Sequence, residues 1–257
     1  MLRSLPLELL DLIVDELRDE STALKTCCAV SKSWIPRTRK HLFAHIKLNT
    51  RSSHIERWKE TFPDPSNSPA RYTRSLYIRG IPIITPADTD ASGWICAFHG
   101  VVHLHLECLS STDCKASLVP FYRLSPTVRS LCLTSAFSDV FDLVCSFPLL
   151  EDLALAYLQK RSNGGWITPS RSPKLTGSLD VRTFDRICST MHQLLDLLGG
   201  LHFTKIAVSC PDGDFEPARN LVLRRSVTLE SLTIRCCESS PFSFSFCDGP
   251  LSYPSTS

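Results

Sequence analysis

No stretch of this sequence approaches the 18 or so uncharged apolar residues that a membrane-spanning helix requires. Charge of one sign is missing too. The 28 Lys and Arg stand against 26 Asp and Glu, a net +2 spread along the chain, with no basic stripe of the kind that neutralises phosphates. Nucleic acid is therefore not an expected partner. The chain contains no Asn-x-Ser/Thr acceptor. Glu8, Asp11, Asp15 and Glu16 interrupt the first apolar run, which rules against a secretory signal. The familiar signatures of catalysis are absent as well: there is no nucleophile elbow, no phosphate-binding Gly loop and no His-Glu-x-x-His helix. No enzymatic activity, catalytic residue or cofactor is expected.

Hydrophobic residues make up 43% of the 257 positions and charged residues 21%, which is ordinary for a chain that folds around a core. That length holds one large domain, or a small one beside a larger one. Twelve cysteines, with neither a signal nor a glycosylation acceptor, read as small buried hydrophobes of a reducing compartment. The expected location is intracellular, cytoplasmic or nuclear.

The N-terminal stretch LPLELLDLIVDEL, Leu5 to Leu17, predicts a helix. Ser4 is placed to cap it, Pro6 suits the first turn, and Glu8 lies near the positive end of the dipole. Leu9, Leu12, Ile13 and Leu17 recur at spacings of three and four, and Leu10 and Val14 widen the stripe. Two more helices are expected, from Thr22 to about Ser31 and from Pro36 to Phe43. Three helices in about 40 residues form only a minimal core, and such small domains usually need a partner or a staple. The first helix carries more apolar surface than its neighbours can cover.

These residues resemble an F-box. The resemblance covers roughly residues 3–45 and rests on Leu5-Pro6, Glu8 and Leu9, the Ile13 and Leu17 stripe, Leu24, the Val-x-Lys-x-Trp pattern of Val30, Lys32 and Trp34, and then Arg37 and His41 to Phe43. Two departures are the RDEST link and Ile35-Pro36, which should start the third helix abruptly. The resemblance implies docking onto the adaptor subunit of a cullin-based ubiquitin ligase and, through it, onto the cullin. Its implied contact residues are Leu5, Pro6, Glu8, Leu9, Ile13, Leu17, Leu24, Val30, Lys32 and Trp34.

The remainder repeats. An apolar-x-x-apolar-x-apolar pattern occurs at Val101/Leu104/Leu106, Val128/Leu131/Leu133, Leu150/Leu153/Leu155, Phe203/Ile206/Val208 and Leu229/Leu232/Ile234, with looser copies at Leu76/Ile78 and Leu175/Leu179/Val181. Successive copies lie within the 20–29 residues of leucine-rich repeats. One short strand per copy would stack in parallel, with returns crossing behind. Ser138–Phe147 and Phe184–Leu198 read as helical returns. The expected fold is thus α/β: an F-box-like helical segment over residues 1–48, a capped linking helix (SSHIERWKETF) and loop over 49–71, a degenerate leucine-rich-repeat-like solenoid over 72–237 and an irregular tail over 238–257. The breaker-rich stretch 159–174 reads as an insertion. Cys96, His99, His103, His105 and Cys108 are conceivable metal ligands, but their spacing fits no paired Cys-x-x-Cys framework, and no metal is expected. Alternation leaves His103, His105, Arg129, Ser130, Asp152, Lys205 and Ser231 outward, as candidate contacts for an unknown target protein.

The cysteine reading is testable. Thiol labelling of freshly prepared protein under denaturing, non-reducing conditions should find nearly all twelve cysteines free; several protected pairs would overturn the intracellular assignment.

Overall fold

The computed structural model describes residues 6–49, 53–80, 93–107, 118–124, 126–134, 141–156, 176–182, 202–211, 219 and 229–237. The expected Ser4 cap, the 159–174 insertion, the return over 184–198 and the tail from 238 lie outside them. The described residues form two compact units that divide between Phe43 and Ala44.

In the helical unit, α1 spans Leu7–Glu16, α2 Ser21–Val30 and α3 Ile35–Leu42, with a 3₁₀ turn at Lys32–Trp34. Pro6 opens α1 with its carbonyl, which accepts from the N–H groups of Leu9 and Leu10. Pro36 sits in the first turn of α3, where a missing N–H costs no helical bond. Val14, Leu24 and Cys27 are the buried apolar side chains. Thr38 is wholly buried and donates its hydroxyl to the Trp34 carbonyl at 2.8 Å, which leaves the Cys28 thiol, 2.8 Å away, as donor to Thr38. One threonine thereby joins α2 to α3 without an unpaired polar atom.

The second unit is built on a single sheet of eight parallel strands in chain order. They are β1 (His45–Asn49), β2 (Ser75–Arg79), β3 (His103–Glu107), β4 (Ser130–Thr134), β5 (Asp152–Ala156), β6 (Thr176–Arg182), β7 (His202–Pro211) and β8 (Ser231–Cys237). The register carries the repeat: Ile46, Leu76, Leu104, Leu131, Leu153, Leu179, Ile206 and Leu232 are successive partners, one per strand. A second inward row runs two residues further on, from Leu48 to Ile234. Both rows are buried as far as β7, whereas Leu232 and Ile234 on β8 are 36% and 40% exposed.

Backbone geometry repeats with the side chains. The Ala44 carbonyl accepts from the N–H groups of Arg74 and Ser75, that of Arg74 from Val102 and His103, that of Val102 from Arg129 and Ser130, and that of Arg129 from Glu151 and Asp152. The coils of β1 to β5 are stapled one to the next at the same point, just ahead of each strand. Behind the sheet, α4 (His54–Thr61), α5 (Gly93–Cys96), a 3₁₀ segment (Val119–Leu124) and α6 (Phe141–Cys145) lie on the returns. The returns bury Phe98, Phe121 and Phe147, and Trp58 and Trp94 pack on Phe98 with ring centroids 5.6 and 5.8 Å away.

Three expectations need correction. The sheet begins at His45, inside the stretch read as helical, because HIKLN alternates with Ile46 and Leu48 inward. The linking helix has no side-chain cap from Ser53. The segment after it holds two 3₁₀ turns, Pro65–Asn67 and Pro69–Tyr72, capped by the side chains of Asp64 and Ser68.

At β6 the pattern breaks. Its register against β7 shifts between Gly177 and Ser178, and Gly177 has φ +132°. A Cβ there would stand 2.1 Å from the Glu151 carbonyl oxygen. Only glycine tolerates both the dihedral and the approach.

Replacing Leu131, Leu153 or Ile206 with Ala should therefore destabilise the sheet unit by roughly 2–5 kcal/mol, and Gly177→Ala by more than about 1 kcal/mol. Lys205→Ala, at an exposed outward position, should change stability by no more than about 0.5 kcal/mol. Urea unfolding of the purified chain checks all three; equal effects at inward and outward positions would refute the register.

Candidate functional site

Leu9, Leu12 and Ile13 fall at i, i+3 and i+4 and so share one face of α1, opposite Val14. Val14 is 1% exposed; Leu9, Leu12 and Ile13 are 46%, 60% and 44% exposed. The helix is apolar on the side that the described residues leave exposed. Leu7 and Val30 add two more exposed apolar side chains to the unit.

What holds α1 in place is polar. Arg37 on α3 donates Nε–H to Asp15 Oδ1 at 2.6 Å and pairs through Nη2 with Oδ2 of the same carboxylate. His41, one turn further along α3, donates from Nε2 to Asp15 Oδ1 at 2.7 Å. Hydrogen bonds from Arg37, then from His41, hold the Asp15 carboxyl well below the usual carboxylate range. A bidentate guanidinium fixes orientation as well as position, so α1 cannot roll to bury its leucines without breaking this clamp. The paired roles of Arg37 and His41 were invisible to motif reading, which registered them only as part of the resemblance.

The residues singled out in the sequence separate into three groups. Pro6, Glu8, Leu9, Ile13, Val30 and Lys32 are exposed, and Leu17 and Trp34 are half-buried. Leu24 is 1% exposed and serves the helical core instead of a surface. Leu5 lies outside the described residues. Leu7 was missed, although its position two residues ahead of Leu9 in the same apolar run was a usable signal.

On the sheet unit, His103, Ser130, Asp152, Lys205 and Ser231 fall in one outward row and His105 in the next, while Arg129 lies just ahead of β4 and not on a strand. His103 is exposed. His105 is half-buried, its Nε2 is 3.0 Å from Thr134 Oγ1, and its ring meets Tyr77 edge-on at 4.6 Å. Burial, with Arg182 adding to it, holds His105 down to about 4, so it is neutral near pH 7. Burial pushes the neighbouring Cys132 thiol up, away from the reactive thiolate. Among the described residues no group of three His, Cys, Asp or Glu is placed to hold a metal. Cys96 receives a hydrogen bond from Arg123 at 2.8 Å, and Cys108 is outside the described residues. Asp152 accepts from the Ser178 hydroxyl, and Arg129 pairs with Glu151.

No protein-family model matches the chain, and no curated protein matches it. Among solved structures, internalin C2 from Listeria monocytogenes is similar at 13% identity, with a TM-score of 0.33, over 84% of this chain and 92% of that one. A likeness at that level carries neither fold nor function, and the architecture rests on the strand ladder itself.

Asp15→Asn should loosen the helical unit by about 1–3 kcal/mol at pH 7, the range for hydrogen bonds to charged groups. The sign is fixed by linkage: a carboxyl held low in the fold stabilises above its unfolded value, near 3.8, and loses that contribution as pH falls below it. The difference between wild type and Asp15→Asn, followed by circular dichroism melts, should therefore shrink below about pH 4.

Proposed function

We propose that this chain is a non-catalytic substrate-recognition subunit of a cullin-based ubiquitin ligase. Its helical unit docks on the adaptor in the manner of an F-box, and its sheet unit, a degenerate leucine-rich-repeat-like solenoid, holds the target protein. The observation that carries the reading is the exposure of Leu9, Leu12 and Ile13 on a helix clamped in that orientation. An amphipathic helix presenting i, i+3, i+4 anchors to an apolar groove is a recurrent recognition mode. Buried apolar anchors of this kind dominate the energetics of small interfaces.

In this reading the chain contributes proximity. Holding adaptor and target on one chain raises the effective concentration of the target near the catalytic subunits. No residue of the chain needs to bond to ubiquitin, and no cofactor enters. The protein acts inside the cell, in the cytoplasm or nucleus.

Leu9→Asp with Ile13→Asp would place two unpaired charges in a dry interface and should weaken adaptor binding by at least about 2 kcal/mol. Both positions are exposed in the chain, so the fold should survive, as circular dichroism would report. Full-length wild type and His103→Ala should recover adaptor and cullin from cell extract, and the Asp pair should recover neither. Unchanged recovery with the folded Asp pair would eliminate the receptor reading.

A further inference from the structure

The outward face of β6–β8 carries an arrangement that neither the repeat pattern nor the resemblance accounts for. Asp180 Oδ2 accepts from Arg182 Nε and Nη2 at 3.0 and 2.9 Å, and Asp180 Oδ1 accepts from Arg235 Nη1 at 2.9 Å. Arg235 belongs to β8 and Asp180 to β6, so the Arg235 side chain reaches across the whole width of β7. It passes there because the β7 residue in register with Asp180 is Ala207. Ser209, the register partner of both Arg182 and Arg235, is 5% exposed although it points outward.

The layering gives the surface its sign. The Asp180 side chain is 21% exposed, while those of Arg182 and Arg235 are 41% and 40% exposed. The carboxylate lies beneath and two guanidiniums lie above it. The shared carboxylate holds the Arg182 fork through two nitrogens and tethers Arg235 through one, which lowers the entropy lost when they grip a further anion. In the same outward row Arg79 on β2 pairs with Glu107 on β3 at 3.3 Å. Ala154 and Ala156 on β5 keep the surface beside Asp180 and Arg182 low, so an extended chain can approach without displacing a large side chain.

We infer that the Arg182/Arg235 pair on the outer face of β6–β8 is the point at which the target is gripped, and that the target offers an extended acidic segment whose glutamate or aspartate side chains meet the two guanidiniums. This rests on the target-holding role proposed for the sheet unit and gives that role its chemistry. It is independent of the helical face.

The test uses the full chain and a short fluorescent peptide of alternating serine and glutamate, with glutamine and phosphoserine counterparts, read by anisotropy across a salt series. The glutamate peptide should bind saturably, the glutamine peptide should not, and the affinity should fall as salt rises. Arg182→Gln with Arg235→Gln should weaken binding by at least about tenfold. Arg57→Gln, an exposed cation on α4 behind the sheet, should stay within about twofold. If the double variant does not fold, Arg235→Gln alone, on the terminal strand, should still show a loss. Adaptor recovery measured on the same preparations should be unchanged by all of these variants, which separates failure of this inference from failure of the docking reading. Equal binding of the glutamine peptide, no saturable binding of the glutamate peptide, binding of the phosphoserine peptide alone, or equal losses at Arg57 and Arg235 would each overturn it.

Discussion

The sheet unit depends on one constraint: a strand of five residues offers two inward positions, and a parallel neighbour in register must place its own two beside them. Once Leu76 and Ile78 are inward, Leu104 and Leu106 follow, and so on through Ile206 and Val208. Side chains of nearly constant volume keep the spacing between coils uniform. The carbonyls of Ala44, Arg74, Val102 and Arg129 then meet pairs of N–H groups at equal intervals. Hydrogen bonding and packing are thus two readings of the same translation, and neither can slip by a residue without turning the apolar rows outward.

The helical unit obeys a different economy. Its buried apolar set among the described residues is Val14, Leu24 and Cys27, too little to fix three helices by burial alone. Orientation falls to polar groups: Asp15 with Arg37 and His41, and Thr38 with Cys28 and the Trp34 carbonyl. A helix held by a side-chain clamp is free to keep leucines in water. That freedom makes Leu9, Leu12 and Ile13 available to another chain, and it explains how the surface can tolerate them without collapse of α1 onto its neighbours.

Much of this was legible in the residues. The apolar rows were read at the positions that form the ladder, since a period of two inside a longer repeat survives even when the intervening residues drift. β1 was lost because HIKLN follows directly on a helix and carries only two apolar residues, one repeat earlier than the first copy recognised. Gly177 gave no signal, because its necessity comes from the Glu151 carbonyl just ahead of the preceding strand. The Asp180 cluster was hidden for the same reason: Arg235 stands 55 residues away from its partner. In the helical segment the apolar excess was visible as a stripe, but Leu24 was assigned to the surface, and only the packing of α2 shows that it faces inward.

The two open ends of the sheet are not equivalent. β1 keeps Ile46 and Leu48 covered, at 8% and 4% exposure, while β8 leaves both of its inward side chains more than a third in water. In a ladder where each strand touches only its two neighbours, the free energy of opening is set locally. Amide exchange should therefore run as a gradient, fastest at β8 and slowest in the middle of the sheet. Arg235, cross-linked through Asp180 to β6, acts as a tether against that fraying: whatever occupies the arginine pair also decides how firmly the last coil is closed.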